Sequence, residues 1–278
     1  MRRLLFFYIS IFVLNSEISW GQIDQTKVDN MNLDSAVYIS VITLENPNGF
    51  GGSLGVISVG LAVQSNTRLR SGPEANAGAY FGLGDPVKYL GLGATVNIYG
   101  LSNSYGTKNN LGQGGLDLDI NRLVGKKLFL KFGVKNITTW GASERFIHLQ
   151  KSYYGVGSFF ILLNRSNLKK AFSSLSVTLG AGNGLFRQDK NYTPYSSGHL
   201  NPIMSIGTPL SARTTAVFER NGYDIGVGVS SYIIFFKSIP IHYFIQATDL
   251  ILKQPRFTLS VNYTFNIAKT YLYELSKK

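Results

Sequence analysis

The chain has 278 residues, of which 44% are hydrophobic and 15% are charged, and its formal net charge is +12. Soluble domains usually carry about a quarter of charged residues, so this composition does not favour an ordinary water-exposed surface. The absence of cysteine excludes disulfides, thiolate metal sites and cysteine nucleophiles. The basic excess forms no stripe interleaved with aromatic residues, and we therefore expect no nucleic-acid partner.

The first 21 residues have the composition of a secretory signal peptide. Met1-Arg2-Arg3 is basic, Leu4–Leu14 is apolar, and Ser19-Trp20-Gly21 supplies small residues for cleavage. A membrane anchor is the alternative, but so short an apolar run cannot cross about 30 Å as a helix. We therefore expect residues 1–21 to be removed on export.

Residues 22–53 lack the regular pattern of the rest of the chain. Gln22–Asp34 is polar, and Ala36–Leu44 is rich in β-formers but alternates poorly. Asn46–Ser53 consists almost entirely of turn-forming residues. These properties predict a separate N-terminal segment that adds no strand to the main sheet.

From Leu54 onward the chain consists of short β-rich runs separated by turn signals, which predicts twelve strands. Their expected ranges are 54–64, 77–84, 90–102, 112–121, 128–138, 151–163, 171–181, 200–207, 212–219, 223–234, 240–249 and 256–266. A tail of residues 267–278 follows the last of them.

The last strand, Arg256–Asn266, shows the two-faced pattern most clearly. Phe257, Leu259 and Val261 share one face with the aromatic residues that follow, while Ser260 and other small polar residues share the opposite face. A run of about ten residues with this alternation has the length of a strand that crosses a lipid bilayer. The pattern predicts an all-β fold, an antiparallel transmembrane β-barrel over residues 54–266.

The expected connections fix the orientation of this barrel. With the last strand ending in the periplasm, four of the six outer loops are longer than every periplasmic turn, as is usual for such barrels. An even number of strands then leaves residues 22–53 either in the periplasm or folded into the lumen. A secreted β-sandwich also alternates, but its solvated faces would need more charge than these strands carry.

The signal peptide, the alternating strands and the aromatic residue Phe265 in the closing strand together resemble the bacterial outer-membrane β-barrel class. The stretches Phe81–Pro86 and Gly133–Trp140 are similar to uncharacterised porin-like barrels. This resemblance implies a location in the bacterial outer membrane and brings no catalytic residue with it. The tail after Phe265 departs from the usual pattern.

One charged group stands out among the residues expected to line the lumen. Asp117 and Asp119 share the polar face of one strand, and Lys131 and Lys135 share that of the next. Matching the apolar faces brings Lys131 close to one of the aspartates. The group could tune ion selectivity in a pore, or form an internal salt bridge that fixes register, and we favour the salt bridge. The remaining candidate lumen-lining residues are His242, Gln246 and Asn262.

Catalytic and metal sites have little support in the sequence. Ser196 and His199 lie in one loop without an orienting partner, and they are a poor hydrolase constellation. The aspartates show no calcium-loop spacing, and the Gly-x-Gly pairs lie between strands rather than before a helix. We expect no catalytic residue, no metal and no cofactor, and the protein is not predicted to be an enzyme.

The outer loops are expected to carry a basic rim that contacts lipopolysaccharide or steers anionic solutes. Its residues are Arg68, Arg70, Lys108, Arg145, Arg187, Lys190, Arg220 and Lys253, against Glu74, Glu144 and Asp189. The polar interior, with many small residues, predicts some solvent-filled space. We therefore expect a monomeric or trimeric passive channel for small polar, anionic solutes. The alternatives are a non-conducting protein that anchors or assembles an envelope structure and, third, an outer-membrane hydrolase.

Overall fold

The structure is a computed structural model that describes residues 43–68, 70–101, 111–125, 127–141, 150–164, 170–188, 199–235, 239–251 and 254–267. The expected signal peptide, the first part of the N-terminal segment (22–42), Ser196 and the tail from residue 268 lie outside the described residues. Among the described residues, no helix is long and apolar enough to cross a membrane.

The chain forms a closed barrel of twelve antiparallel strands, in which each strand pairs with its neighbours in sequence and β1 pairs with β12. This confirms the predicted fold class. The strands are β1 (Val56–Thr67), β2 (Arg70–Gly84), β3 (Gly91–Ile98), β4 (Gly114–Val124), β5 (Leu128–Trp140), β6 (Ser152–Leu162), β7 (Ser174–Gly182), β8 (Asn201–Pro209), β9 (Thr214–Asn221), β10 (Ile225–Phe235), β11 (Ile239–Thr248) and β12 (Arg256–Asn266).

The two faces of the wall differ as the alternation predicts. In β12, Phe257 and Leu259 are 62% and 48% exposed on the outside, whereas Thr258 and Ser260 are 3% and 4% exposed on the inside. Large apolar side chains are exposed on the outward face of the other strands as well, for example Leu92, Phe132 and Ile245. Because closure pairs every strand on both sides and the outer wall is apolar, the barrel is suited to cross a bilayer.

The predicted start of β2 is wrong by seven residues, since the strand begins at Arg70 rather than at residue 77. Glu74 pairs with Gln64 across β1, in a stretch that the sequence assigned to an outer loop. The Gly-Pro pair at residues 72–73 favoured a loop. However, β3 pairs with β2 only from Ala77 onward. Pro73 therefore lies in a part of β2 that has no partner on the β3 side. Its lack of an N–H costs no hydrogen bond on that side.

The connections differ in length less than expected. On the outer side, 99–113 and 183–200 are longer than the longest connection at the opposite end, 163–173. The first outer connection shrinks to residues 68–69, because β1 and β2 extend well beyond their predicted ends. The difference in length still favours the predicted orientation, and we name the end at which β1 starts and β12 ends the periplasmic end and the opposite end the outer end.

Candidate functional site

Residues 43–53 lie inside the barrel, and we call this stretch the lumen segment. It starts in the outer half of the lumen beside β8 and β9 and ends at the periplasmic rim. There the N–H of Leu54 donates to the carbonyl of Gly84 at 2.8 Å, and the chain turns into β1. Most of the segment is buried. The described lumen is thus occupied by the chain's own backbone.

The outer end of the lumen segment is held by one buried carboxylate. Glu219, on the inner face of β9, is fully buried. Its oxygens accept hydrogen bonds from the N–H groups of Leu44 at 2.8 Å, Glu45 at 2.7 Å and Asn46 at 3.4 Å. A buried carboxylate that accepts several N–H bonds is well compensated for its desolvation. Glu219 is therefore an anchor point for the segment.

The side chain of Asn46 adds a second attachment to the wall. Its Nδ2 lies 3.0 Å from the carbonyl of Met204, 2.9 Å from Ser205 Oγ and 2.9 Å from the carbonyl of Arg220. These acceptors belong to β8 and β9, the strand pair that also carries Glu219. Asn46 thus ties the segment to two neighbouring strands at once.

The carboxylate of Glu45 is surrounded by donors from the wall. Arg256 Nη2 lies 2.8 Å from it, and Gln246 Nε2 lies 3.3 Å from its Oε1. The hydroxyl of Tyr223 and Nδ2 of Asn221 each lie 3.4 Å from its Oε2. The donors come from β9, from the following connection, from β11 and from β12. Four separate parts of the wall therefore bind one carboxylate.

Arg256 connects the lumen segment to the mouth of the barrel. Besides Glu45, its guanidinium donates to Asp249 Oδ2 at 3.0 Å and to Gln64 Oε1 at 2.9 Å. A guanidinium presents its donors in a fixed planar fork, so three acceptors on different sides fix its orientation. The bond to Gln64 also joins β12 to β1, where the barrel closes.

This environment raises the pKa values of two titratable groups outside the strands. Burial raises the pKa of the Tyr223 phenol well above its usual value, and the charges of Glu45 and Asp249 raise it further. The phenol therefore keeps its proton and can donate to Glu45. Burial also raises the pKa of Asp249 to about 6, although the neighbouring Arg256 works in the opposite direction.

The periplasmic half of the lumen segment is held by packing. Phe50 is buried between Phe129 and Phe160, with ring centroids 4.4 and 5.5 Å away, and Leu123 completes the cluster. These wall residues are apolar side chains on the polar face of their strands. They form a pocket for a single ring inside an otherwise polar lumen.

Glycines let the lumen segment lie directly against the wall. A Cβ on Gly52 would lie 1.7 Å from the carbonyl oxygen of Leu92, and one on Gly49 would lie 2.1 Å from that of Phe129. No side chain fits at such distances, so the segment and the wall would have to separate. The run of glycines that predicted only turns is therefore required for backbone contact inside the barrel.

The connection after β7 also folds inward. Phe186 packs with Val156, Ile203 and Tyr154 on the inner faces of β6 and β8. Arg187 is fully buried and donates to the side chain of Gln150. Phe186 and Arg187 therefore occupy space that was expected to hold solvent. The interior is more filled than we predicted from its many small polar residues.

The prediction of a basic rim on the outer loops is wrong for several of its residues. Arg68 donates to the carbonyls of Leu185 and Arg187, and its guanidinium lies 3.3 Å from the ring centroid of Tyr223. Arg187 is fully buried. Arg70 and Glu74 belong to β2 and Arg220 to β9 rather than to loops. Lys108, Arg145, Lys190, Lys253, Glu144 and Asp189 lie outside the described residues.

The predicted charged group is assembled on the inner faces of β4 and β5. Lys131 Nζ lies 3.7 Å from Asp119 Oδ1, and both side chains are buried. Asp117 accepts from the side chain of Asn97 at 2.9 Å and from the N–H of Asn136 at 2.6 Å. The N–H reaches it where the ladder between the two strands is irregular. Lys135 is buried beside this irregularity.

The other three predicted lining residues lie on the inner faces of β11 and β12. His242 is buried and opposite Asn262 in the register, and its ring lies 5.6 Å from that of Tyr232. Gln246 is the donor to Glu45 described above. Gln246 thus belongs to the Glu45 group.

The described residues contain no group of three or more His, Asp or Glu side chains that could hold a metal ion. His199 begins a described stretch, but Ser196 lies outside the described residues. The absence of enzymatic activity and of a cofactor therefore stays a prediction.

Sequence reasoning missed the residues that hold the lumen segment. They are Glu45, Asn46, Phe50, Glu219, Tyr223, Asp249 and Arg256. One signal was available: Glu219, Arg256, Leu123 and Phe160 are charged or large residues at positions of the polar, inward parity, where small residues otherwise prevail. Their partner could not be identified, because the lumen segment has no periodicity of its own.

A closed antiparallel barrel with an apolar outer wall and polar inner faces defines a membrane-spanning β-barrel of porin-like architecture. Among solved structures, the chain is similar to the KdgM porin, with 14% identity and a TM-score of 0.45 over 76% of this chain and 99% of that one. It is also similar to the KdgM porin in complex with disordered oligogalacturonate, with 12% identity, a TM-score of 0.45 and the same coverage. Family models and curated proteins give no match.

Proposed function

We propose that this protein is an outer-membrane channel for small polar solutes, and that the lumen segment closes it at rest. The observation that carries the proposal is the position of residues 43–53 inside a barrel wall that is complete without them. Because the segment adds no strand and fills the lumen, it affects the passage of solutes rather than the formation of the sheet. The predicted signal peptide and the apolar outer wall support insertion into the outer membrane.

The contacts of the lumen segment suit a removable plug. Its outer half is held by hydrogen bonds and one ion pair, which water and ions can replace. Its one aromatic side chain, Phe50, enters a pocket formed by Phe129 and Phe160. Removal of the segment would leave a lumen lined mainly by small polar side chains, for example Ser58, Thr178 and Ser205.

The outer wall also supports contact with lipid headgroups. Arg220 is exposed near the outer end of β9, on the same outward face as Phe218. A basic side chain at this level can reach the anionic phosphates of lipopolysaccharide while its stem stays in the apolar layer. Lipopolysaccharide is therefore the lipid partner that we propose.

Planar bilayer recordings test the channel. We expect rare unitary steps from the full-length protein and frequent steps after deletion of residues 43–52, which keeps every strand. The fold of both proteins is checked by the different gel migration of boiled and unboiled samples. A folded deletion variant that stays silent would contradict the proposal.

The second candidate is a non-conducting envelope protein. It is favoured by the burial of inner wall residues such as Ser58, Lys131 and Thr248, which a continuous water channel would wet. A lumen that is sealed in all conditions would leave the wall and its outer surface as the functional parts. Silence of the folded deletion variant in the bilayer experiment would support this alternative.

A further inference from the structure

We propose that the inner wall contains a binding site for a solute carboxylate, and that Glu45 of the lumen segment occupies this site as an internal ligand. The site consists of Arg256, Gln246, Tyr223 and Asn221. This inference rests on the proposed function, because it names the chemical group of a solute that would replace the plug.

The wall side chains of this site are donors directed at one point. Arg256 Nη2 lies 2.8 Å from each oxygen of Glu45, and Gln246 approaches Oε1 at 3.3 Å. Tyr223 and Asn221 approach Oε2, both at 3.4 Å. A carboxylate has about four acceptor positions on two oxygens, so this set matches its bonding capacity. A neutral hydroxyl would leave several of the donors unpaired.

Further contacts of the wall fix the donors in this arrangement without the lumen segment. The Oδ1 of Asn221 accepts from the N–H of Asp224 at 2.9 Å, which turns its amide nitrogen toward Glu45. Asp249 and Gln64 hold the guanidinium of Arg256 from the other sides. These contacts all lie within β1, β9, β12 and the outer connections. The site is therefore preorganised in the wall.

The phenol of Tyr223 is held in a donating state. Arg256 Nη2 lies 3.4 Å from its oxygen, so the hydroxyl proton is free to point toward Glu45. Arg68 lies over the face of the ring, 3.3 Å from the centroid. A cation over the ring favours this position of the aromatic side chain. The carboxylates that act on the phenol are those of Glu45 and Asp249.

Loss of Glu45 from this site would leave Arg256 with one carboxylate partner instead of two. Burying a guanidinium without its partner costs free energy. An incoming carboxylate would restore the missing partner, so its binding is favoured. Bound there, it would prevent the return of Glu45 and leave the outer half of the lumen segment held by Glu219 and Asn46. The solute would thus promote release of the plug by competition.

The test measures exposure of the lumen segment by thiol labelling. The chain has no cysteine, so Pro47→Cys in the full-length protein provides a single thiol in a buried part of the segment. The protein is inserted into vesicles and treated with a water-soluble maleimide in sodium acetate or in sodium chloride of the same ionic strength. We expect the labelling rate to rise saturably with acetate and to stay constant in chloride.

Variants of the site give the second readout. Glu45→Gln keeps the size of the side chain but removes the charge, so labelling in chloride should rise roughly tenfold, and the response to acetate should saturate at a lower concentration than in the parent. The double variant Glu45→Gln/Arg256→Gln removes both charges, and its labelling should not respond to acetate. Glu274→Gln removes one carboxylate from the C-terminal tail, and it should behave like the parent.

Equal labelling in acetate and chloride would overturn the proposal, and so would a response to acetate that survives in the double variant. Unchanged gel migration shows that each variant is folded. The labelling does not require conduction. A barrel that binds acetate at this site but stays silent in the bilayer therefore refutes the channel alone, whereas a conducting barrel without the acetate response refutes only the site.

Discussion

The guanidinium of Arg256 lies 2.8 Å from the carboxylate of Glu45, although 211 residues separate them in the chain. One residue belongs to the last strand, and the other precedes the first. The pair therefore connects the interior plug to the seam where β1 meets β12. Both residues have further partners at the outer mouth, so a change in either one should affect the lumen and the mouth together.

A first prediction concerns the glycine contact at the periplasmic rim. Gly52→Ala places a methyl group against the carbonyl of Leu92, where the available distance is 1.7 Å. We expect the lumen segment to detach at this end while the barrel stays closed, so unitary steps in bilayers should become more frequent. Gel migration of boiled and unboiled protein should remain as in the parent.

The matched control for this change is Gly157→Ala on the outer wall. Its methyl group would meet the ends of the Leu130 and Leu128 side chains at 3.2 and 3.3 Å, which can move aside. This variant should conduct like the parent. Equal effects of the two substitutions would show that the glycine contact with Leu92 does not hold the segment.

A second prediction concerns the outer wall. Leu259→Arg puts a charge on the lipid face, near the middle of β12, and should lower stability by about 2–4 kcal/mol. Leu259→Ile keeps the face apolar and should change little. The measurement is the midpoint of urea unfolding in vesicles, followed by gel migration. Similar midpoints for both variants would mean that this face does not contact lipid.

A third prediction concerns the ion pair of Lys131 and Asp119. Lys131→Glu brings three carboxylates together on the inner faces of β4 and β5, and it should destabilise the barrel by roughly 3–5 kcal/mol. Adding Asp119→Lys restores opposite charges and should recover part of this loss. A change in ion selectivity with unaltered unfolding would instead assign the pair to a conducting path.

A fourth prediction follows from the raised pKa of Asp249, about 6 against an ordinary value of 3.8. The folded state then binds more protons than the unfolded state between these two values. The contribution of Asp249 to stability therefore falls as the pH rises from about 4 to 6, and it is constant above that window. The difference in unfolding free energy between the parent and Asp249→Asn should change in this range and level off above it. A difference that stays constant from pH 4 to 7 would contradict the assignment.

The strands could be predicted because alternation is a local property of the sequence. Residues 257–265 show both faces without reference to any other part of the chain, and β12 has the predicted bounds. The start of β2 was predicted wrongly because Gly72 and Pro73 usually form turns. They are compatible with a strand here because β3 ends before it reaches them, which the sequence does not reveal. The Glu45 site could not be predicted, since its residues come from five parts of the chain. Their meeting depends on the size of the closed barrel and on the path of a segment without periodicity.

The N-terminal position of the lumen segment imposes an order on biogenesis. Residues 44–46 are synthesised first, yet their bonds to Glu219 and Met204 span more than 150 positions of the chain. Contacts of such long range form late, because the whole intervening loop must be closed first. The outer half of the segment therefore stays without its native partners until β8–β12 have assembled. Docking of this half therefore follows the assembly of the last strands of the sheet.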